Sequence, residues 1–443
     1  MRPRLSVIGT GYLGATHAAC MAELGFDVVG VDTDRAKIDA LSAGRVPFFE
    51  PGLEELLRKN LDSGRLRFST SYDDLADCDV HFVCVGTPQV ADGNAADLTY
   101  VDAAFDALLP RLRTQALVVG KSTVPVGTAE RLVERLRAEV PADRDVELAW
   151  NPEFLREGWA IQDTLHPDRL VFGVGSDRAE AVLRDVYAPL VDPAAPGGGV
   201  PVVVTDLATA QLVKVAANAF LATKISFINA MAEVCEVVHG DVEKLSAALS
   251  YDDRIGGRFL HAGLGFGGGC LPKDIRAFMA RADELGVEQA LSFLREVDAI
   301  NQRRRARMVD LARESVAGDF AGRRVAVLGA AFKPNSDDIR DSPALDVATR
   351  IADDGATVTV YDPAAVPNAR RDYPDLGYAD SALEAAGDAD VVLHLTEWRE
   401  FREMDPAALG AVVRQRNVVD GRNALDPAVW RAAGWHYRAL GRP

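Results

Sequence analysis

The run Leu5-Ser6-Val7-Ile8-Gly9-Thr10-Gly11-Tyr12-Leu13-Gly14 decides the fold. A short apolar strand leads into a Gly-x-Gly-x-x-Gly turn, and a helical pattern follows through about Leu24. The next strand is Asp27-Val28-Val29-Gly30-Val31, and Asp32 closes it. Glycines at Gly9, Gly11 and Gly14 let the backbone approach a pyrophosphate at a helix N-terminus, and a carboxylate at the second strand end accepts ribose hydroxyls. A carboxylate there repels a 2′-phosphate. The unit therefore predicts NAD rather than NADP, with Arg35 and Lys37 close enough to moderate the preference.

Outward from this unit the alternation continues. Apolar strands are expected at Val80 through Val85, Ala116 to Val119, Val146 to Ala149, Leu170 to Phe172 and Val202 to Val204. Uninterrupted apolar strands between helices predict a parallel sheet covered on both faces. From Asp206 the spacing of Leu207, Ala210, Val213, Phe220, Ile228 and Met231 predicts one helix of about 30 residues, well beyond the usual length. A second alternating block begins near Arg323. It has strands at Val325 to Gly329, Thr357 to Tyr361, Val391 to Leu395 and Asn417 to Asp420, and a helix at Ala344 to Ala352. The expected fold class is α/β, with two Rossmann-like doubly wound domains joined by a long central helix and a helical dimerisation segment. The expected domains are 1–205 for NAD, 206–315 as the helical dimerisation domain and 316–443 as a second Rossmann-like domain. Residues 193–199 read as loop.

Composition narrows the function. The 443 residues carry 49 basic and 66 acidic side chains, a net charge of −17, which disfavours a phosphate backbone as partner. Five cysteines contain no CxxC pair and the seven histidines form no cluster, so no metal site is expected. The start of the chain lacks a secretory pattern, and no apolar run is read as a membrane span. A reduced, cytoplasmic protein with neither nucleic acid nor membrane as partner is expected.

A second run carries chemistry: Phe266-Gly267-Gly268-Gly269-Cys270-Leu271-Pro272-Lys273-Asp274. Pro272 suits a first helical turn. A thiol at a helix N-terminus beside Lys273 is expected to react as a thiolate. Asp274 falls on the same helical face and is a candidate proton acceptor. Cys20, Cys78, Cys84 and Cys235 read as core residues. Glu153 and Glu157 are spaced to share a face, as are Lys214 and Asn218 on the long helix, where a Lys in an apolar stripe needs a partner or a role. Thr123 follows a strand end, where α/β folds bind ligands, and taken alone reads as a helix cap.

Together these motifs resemble the UDP-glucose/GDP-mannose dehydrogenase family, most closely its bacterial UDP-glucose 6-dehydrogenases. The resemblance spans essentially the whole chain. It includes Val85-Gly86-Thr87-Pro88, Ser122-Thr123-Val124-Pro125-Val126-Gly127, Asn151-Pro152-Glu153-Phe154-Leu155-Arg156-Glu157-Gly158, His166-Pro167-Asp168-Arg169, Lys214-Val215-Ala216-Ala217-Asn218 and Asp420-Gly421-Arg422. It implies oxidation of a sugar C6 alcohol to a carboxylate with two NAD+, in a homodimer, with UDP-glucose as substrate. By similarity Cys270 is the nucleophile, and Asp274 and Thr123 position or activate water. Lys214 and Asn218 stabilise an oxyanion, and Glu153 acts as acid/base. Gly9, Gly11, Leu13, Gly14, Asp32, Lys37, Thr87, Thr123, Glu157, Lys273 and Arg340 approach NAD. The resemblance places Glu153, Phe154, Leu155, Arg156, Glu157, Lys214 and Asn218 on the substrate. It adds Phe259, Leu260, His261, Ala262, Gly263, Gly267, Lys333 and Arg422, with Arg254 reaching a neighbouring subunit's site. His261 stands where many relatives have Lys, and Leu271 where Phe is common. GDP-mannose or another nucleotide sugar is the alternative substrate. An ordinary two-electron hydroxyacid dehydrogenase would not need Cys270. A non-catalytic NAD-binding scaffold would not need Cys270, Lys214, Asn218 and Asp274 together.

Overall fold

A computed structural model of the chain describes residues 2–194 and 199–443. They divide into two compact units, Met1–Ala217 with Arg276–Gly286, and Asn218–Ile275 with Val287–Pro443. Of the expected 193–199 loop, residues 195–198 lie outside the described residues.

The first unit holds β1 (Leu5–Ile8), β2 (Val28–Val31), β3 (Leu66–Ser69), β4 (Val80–Val83), β5 (Gln115–Gly120), β6 (Asp145–Trp150), β7 (Leu170–Gly173) and β8 (Val202–Thr205). They form one sheet in the order β3-β2-β1-β4-β5-β6-β7-β8. Its first six strands have the doubly wound order, with the strand ends around β1 and β4 open to a ligand. Alternate residues feed two cores. Leu5, Val7, Leu117 and Val119 pack in one, and Ile8, Val83, Ala116 and Val118 in the other.

One expectation needs correction. β7 joins β6 antiparallel, at Trp150 and Gly173, and β8 follows β7 in parallel. β7 is buried along its whole length, so its residues are as uniformly apolar as those of a parallel strand and give no sign of its direction.

The second unit holds β9 (Arg324–Leu328), β10 (Thr357–Tyr361), β11 (Gly377–Tyr378), β12 (Val391–His394), β13 (Asn417–Asp420) and β14 (His436–Ala439). All neighbours pair in parallel in the order β11-β10-β9-β12-β13-β14. β3, β11 and β14 were not anticipated: all three are short and lie at sheet edges, and β3 and β14 mix buried with solvent-facing residues.

The predicted long helix is Leu207–Val238, 32 residues. The boundary between the units falls inside it, after Ala217, and inside the Leu271–Glu284 helix, after Ile275. Contrary to the sequence reading, Leu207–Val238 is long and apolar enough to match a membrane span, alone among the described residues. Its polar residues nevertheless bond within the protein: Lys214 pairs with Glu153, and Asn229 accepts from the Gly263 amide.

Candidate active site

The nucleotide turn of the first unit is built around missing side chains. Gly9 has φ +85°, and a Cβ there would lie 2.9 Å from the Val85 backbone. A Cβ on Gly14 would lie 1.8 Å from the Gly9 carbonyl oxygen. At Gly11 a Cβ would meet nothing within 4 Å, and no side chain caps the Tyr12–Glu23 helix that starts there. The first amides of that helix are thus approachable by a pyrophosphate. Asp32 Oδ2 accepts from the Thr10 amide (2.8 Å) and Lys37 Nζ (2.9 Å), and Oδ1 from the Asp34 amide (3.0 Å). Partial burial works to raise its pKa, but these hydrogen bonds outweigh it and hold the carboxyl below the ordinary range. It is a fixed anion, and with the glycines it fits NAD.

Thr87 Oγ1 donates to the Thr123 carbonyl (2.7 Å), tying together the turns after β4 and β5. Thr123 is not a helix cap: Gly127, at φ +97°, occupies the cap position of Thr128–Glu139, and the Thr128 hydroxyl closes the turn on Pro125. Glu153 and Glu157 do not share a helical face. Residues 151–156 are irregular, Gly158 turns the chain at φ +78°, and the helix starts only at Ala160. The run is held by its ends. Buried Glu50 accepts from the Gly158 amide (2.6 Å), the Ala160 amide (2.8 Å) and the Tyr12 hydroxyl. Arg156 forks onto Asp163. Glu153 Oε2 accepts from the Leu155 amide (2.6 Å), and Oε1 lies 3.1 Å from Lys214 Nζ. That pair is almost withdrawn from water, which answers the charge on the apolar stripe. The Phe154 ring lies 3.8 Å from the Arg169 guanidinium and 5.7 Å from Lys214 Nζ.

In the second unit Cys270 is exposed and in no disulfide, whereas the other four cysteines are buried. The Cys270 carbonyl accepts the amide of Asp274 (2.9 Å), opening the helix. Asp274 is buried, its Oδ2 accepting from Asn218 Nδ2 and its Oδ1 from Lys273 Nζ, both at 2.6 Å. Lys273 is thus ion-paired with Asp274. Gly267 and Gly268 are steric requirements, and Gly269 lies against the movable end of the Arg340 side chain. A Cβ on Gly267 would lie 2.3 Å from the Asp341 carbonyl, on Gly268 2.7 Å from the Phe332 ring and on Gly269 2.2 Å from the Arg340 guanidinium. Arg340 itself forks onto Asp338.

Phe259 has φ +64°, and Leu260 and Ala262 are buried while His261 is exposed. Gly263 leaves room for the Gly421 carbonyl, which accepts the Leu264 amide (2.7 Å). Arg422 donates to the carbonyls of Leu395 (2.7 Å), Gly265 (2.9 Å) and Phe332 (3.2 Å). Lys333 Nζ stands 5.2 Å from the Phe332 ring, and Arg254 is exposed against Asp252.

Four residues that hold these turns were not read from the sequence: Glu50, Lys121, Asn301 and Arg305. Asn301 Oδ1 accepts the Phe266 amide and its Nδ2 donates to the Phe266 carbonyl, both at 2.8 Å. One turn on, Arg305 bonds the same carbonyl and Asp341. Asn301-Gln302-Arg303-Arg304-Arg305 reads as a solvated face, so only spacing four residues apart could have hinted at the pair.

Asp362, at the end of β10, occupies the position in its sheet that Asp32 has in the first. Its oxygens accept from the amides of Ala330, Ala331, Ala364 and Ala365 and from Trp398 Nε1, and it is buried. Asp362 thus closes its own turn instead of presenting an anion to a ribose.

These features define an NAD-dependent dehydrogenase with a second, differently built nucleotide fold. The chain belongs to the UDP-glucose/GDP-mannose dehydrogenase family. It matches that family's NAD binding domain over residues 3–191, its central domain over 208–303 and its UDP binding domain over 326–427. Its cofactor is NAD and its substrate a nucleotide sugar. It is similar to a UDP-glucose 6-dehydrogenase of Rhizobium meliloti, 43% identical over 99% of this chain and 100% of that protein. It is 43% identical to UDP-glucose 6-dehydrogenase AglM of Haloferax volcanii over 98% of this chain and 99% of that one. The structure of a UDP-glucose dehydrogenase from Pyrobaculum islandicum superposes with a TM-score of 0.90 at 39% identity, covering 100% and 98% of the two chains.

Proposed function

We propose that the protein oxidises UDP-glucose to UDP-glucuronate through a covalent intermediate on Cys270. One sugar, two NAD+ and one water yield one carboxylate, two NADH and three protons. Bound NAD+ supplies the hydride acceptor for both oxidations. The Cys270 thiolate adds to the C6 aldehyde, forming a C–S bond as the carbonyl π pair moves onto oxygen. Lys214 and Asn218 stabilise that oxygen. After the second hydride leaves, the sugar is a thioester. Asp274 and Thr123 position water, and Glu153 takes its proton as the water oxygen bonds to C6 and the carbonyl π pair moves onto oxygen; that pair then returns as the C–S bond breaks and the thiolate leaves with its electrons.

The observation that carries this reading is the setting of Cys270. It is the exposed cysteine, after a turn whose Gly267 and Gly268 have no room for a side chain, at the head of a helix whose Asp274 is bonded to Asn218. The names of the relatives support UDP-glucose as the sugar. In this reading 1–205 carries NAD, 206–315 dimerises and 316–443 holds the UDP-sugar, and the enzyme acts in the cytoplasm without nucleic acid or membrane as partner. Phe220, Phe227 and Val234, seven residues apart on the long helix, are exposed by 67%, 48% and 52%, which supports a second copy of the chain as their cover. Turnover of a panel of nucleotide sugars with NAD+ tests the assignment. UDP-glucose should give the highest kcat/KM, and a higher value for GDP-mannose would overturn it.

A further inference from the structure

Lys121 is a buried lysine for which the reaction above has no use. It follows the last residue of β5, and Asn151 follows the last residue of β6. The two strands pair up to Gly120 and Trp150, and one more backbone bond runs from the Asn151 amide to the Gly120 carbonyl (2.8 Å). Beyond it side chains take over. Lys121 Nζ donates to Asn151 Oδ1 (2.9 Å) and to Tyr187 Oη (3.4 Å), and the Tyr187 hydroxyl donates to the same Asn151 oxygen (2.6 Å). Asn151 Nδ2 completes the lock on the Val171 carbonyl (3.0 Å). The ammonium also lies 5.9 Å from the rings of both Phe82 and Tyr187.

Two residues beyond Lys121 is Thr123, and two beyond Asn151 is Glu153. We infer that Lys121 is a positioning residue: its bond to Asn151 and Tyr187 keeps the turns carrying Thr123 and Glu153 in fixed register for hydrolysis of the thioester. The inference rests on the covalent reading above. A buried ammonium is unfavourable unless hydrogen-bonded, and a purely packing role is met as well by a Met of similar length. Burial pushes the Lys121 pKa down to about 8, so the group still carries its charge near neutrality. Beyond burial, Cys84 and Glu153 act to raise that pKa and Lys214 acts to lower it.

The test compares Lys121→Met, Tyr187→Phe and Glu153→Gln with the wild type, following mass at Cys270 during turnover of UDP-glucose with NAD+. Tyr187→Phe keeps the ring and serves if Lys121→Met fails to fold. Expected are a kcat lowered roughly 10- to 100-fold in the Lys121 variant, and less in Tyr187→Phe. KM values for both substrates should stay within about twofold, and a sugar thioester should accumulate on Cys270 in all three variants. A thioester in Glu153→Gln alone would overturn the role of Lys121 while leaving the covalent reading intact. No thioester in any variant would overturn both.

Discussion

Asn218 Nδ2 donates to Asp274 Oδ2 at 2.6 Å, so the carboxylate one helical turn after Cys270 is fixed by the long central helix. Lys273 occupies its other oxygen. Replacing Asn218 by Asp would set two carboxylates against each other in a buried place. Asn218→Asp is expected to lower kcat by about 10²–10³-fold, the scale of a lost oxyanion donor, with a smaller change in KM for the sugar. Steady-state kinetics check this; an unchanged kcat would remove Asn218 from the site.

Cofactor choice follows from Asp32. Its carboxylate is held ionised by the Thr10 and Asp34 amides and by Lys37. The wild type is expected to turn over with NAD+ far better than with NADP+. Asp32→Ser, which leaves the Lys37 ammonium without its anion, should narrow the gap. Comparison of kcat/KM for the two cofactors decides it, and equal use of NADP+ by the wild type would contradict the assignment.

The first unit carries a built-in acid sensitivity. Burial drives the pKa of His81 from 6.5 down to about 4, against the raising effect of a hydrogen bond to the Cys78 backbone, and drives His17 down as well. Both are neutral when folded, whereas the unfolded chain takes up protons near pH 6.5. Stability is therefore complete above about pH 6.5 and falls as the pH drops toward 4, by on the order of 3 kcal/mol for His81. Urea midpoints at pH 7 and about pH 4.5 should show the loss, and a midpoint that does not move would contradict it.

The stripe of Phe220, Phe227 and Val234 predicts self-association. Sedimentation at micromolar concentration should find a dimer or a multiple of it. Phe227→Asp, which sets a charge in the middle of the stripe, should shift the protein toward the 47.6 kDa chain. A wild-type protein that sediments as that single chain would contradict the account.

Much of this was legible in the residues because local constraints wrote it there. The glycines at Gly9 and Gly14 are demanded by contacts of 2.9 Å and 1.8 Å, and those at Gly267 and Gly268 by clashes with the Asp341 carbonyl and the Phe332 ring. Long-range bonds left no such trace. Glu50 is fixed by amides more than a hundred residues away, and Lys121 by Asn151 and Tyr187. In sequence each is only one charged residue, in Phe49-Glu50-Pro51 or before Ser122. The reversed direction of β7 was hidden because complete burial erases the alternation that would mark a strand with one wet face. The bond from Lys273 to Asp274, its neighbour in sequence, likewise has no signature in the residues themselves.

The central claim is that Cys270 retains the aldehyde between two oxidations. Its most direct test is the number of NADH formed per UDP-glucose consumed in the presence of an aldehyde-trapping amine. The account predicts two NADH per sugar, no trapped aldehyde, and loss of the net oxidation in Cys270→Ala. One NADH per sugar with the aldehyde recovered on the amine, or an unimpaired Cys270→Ala enzyme, would contradict it.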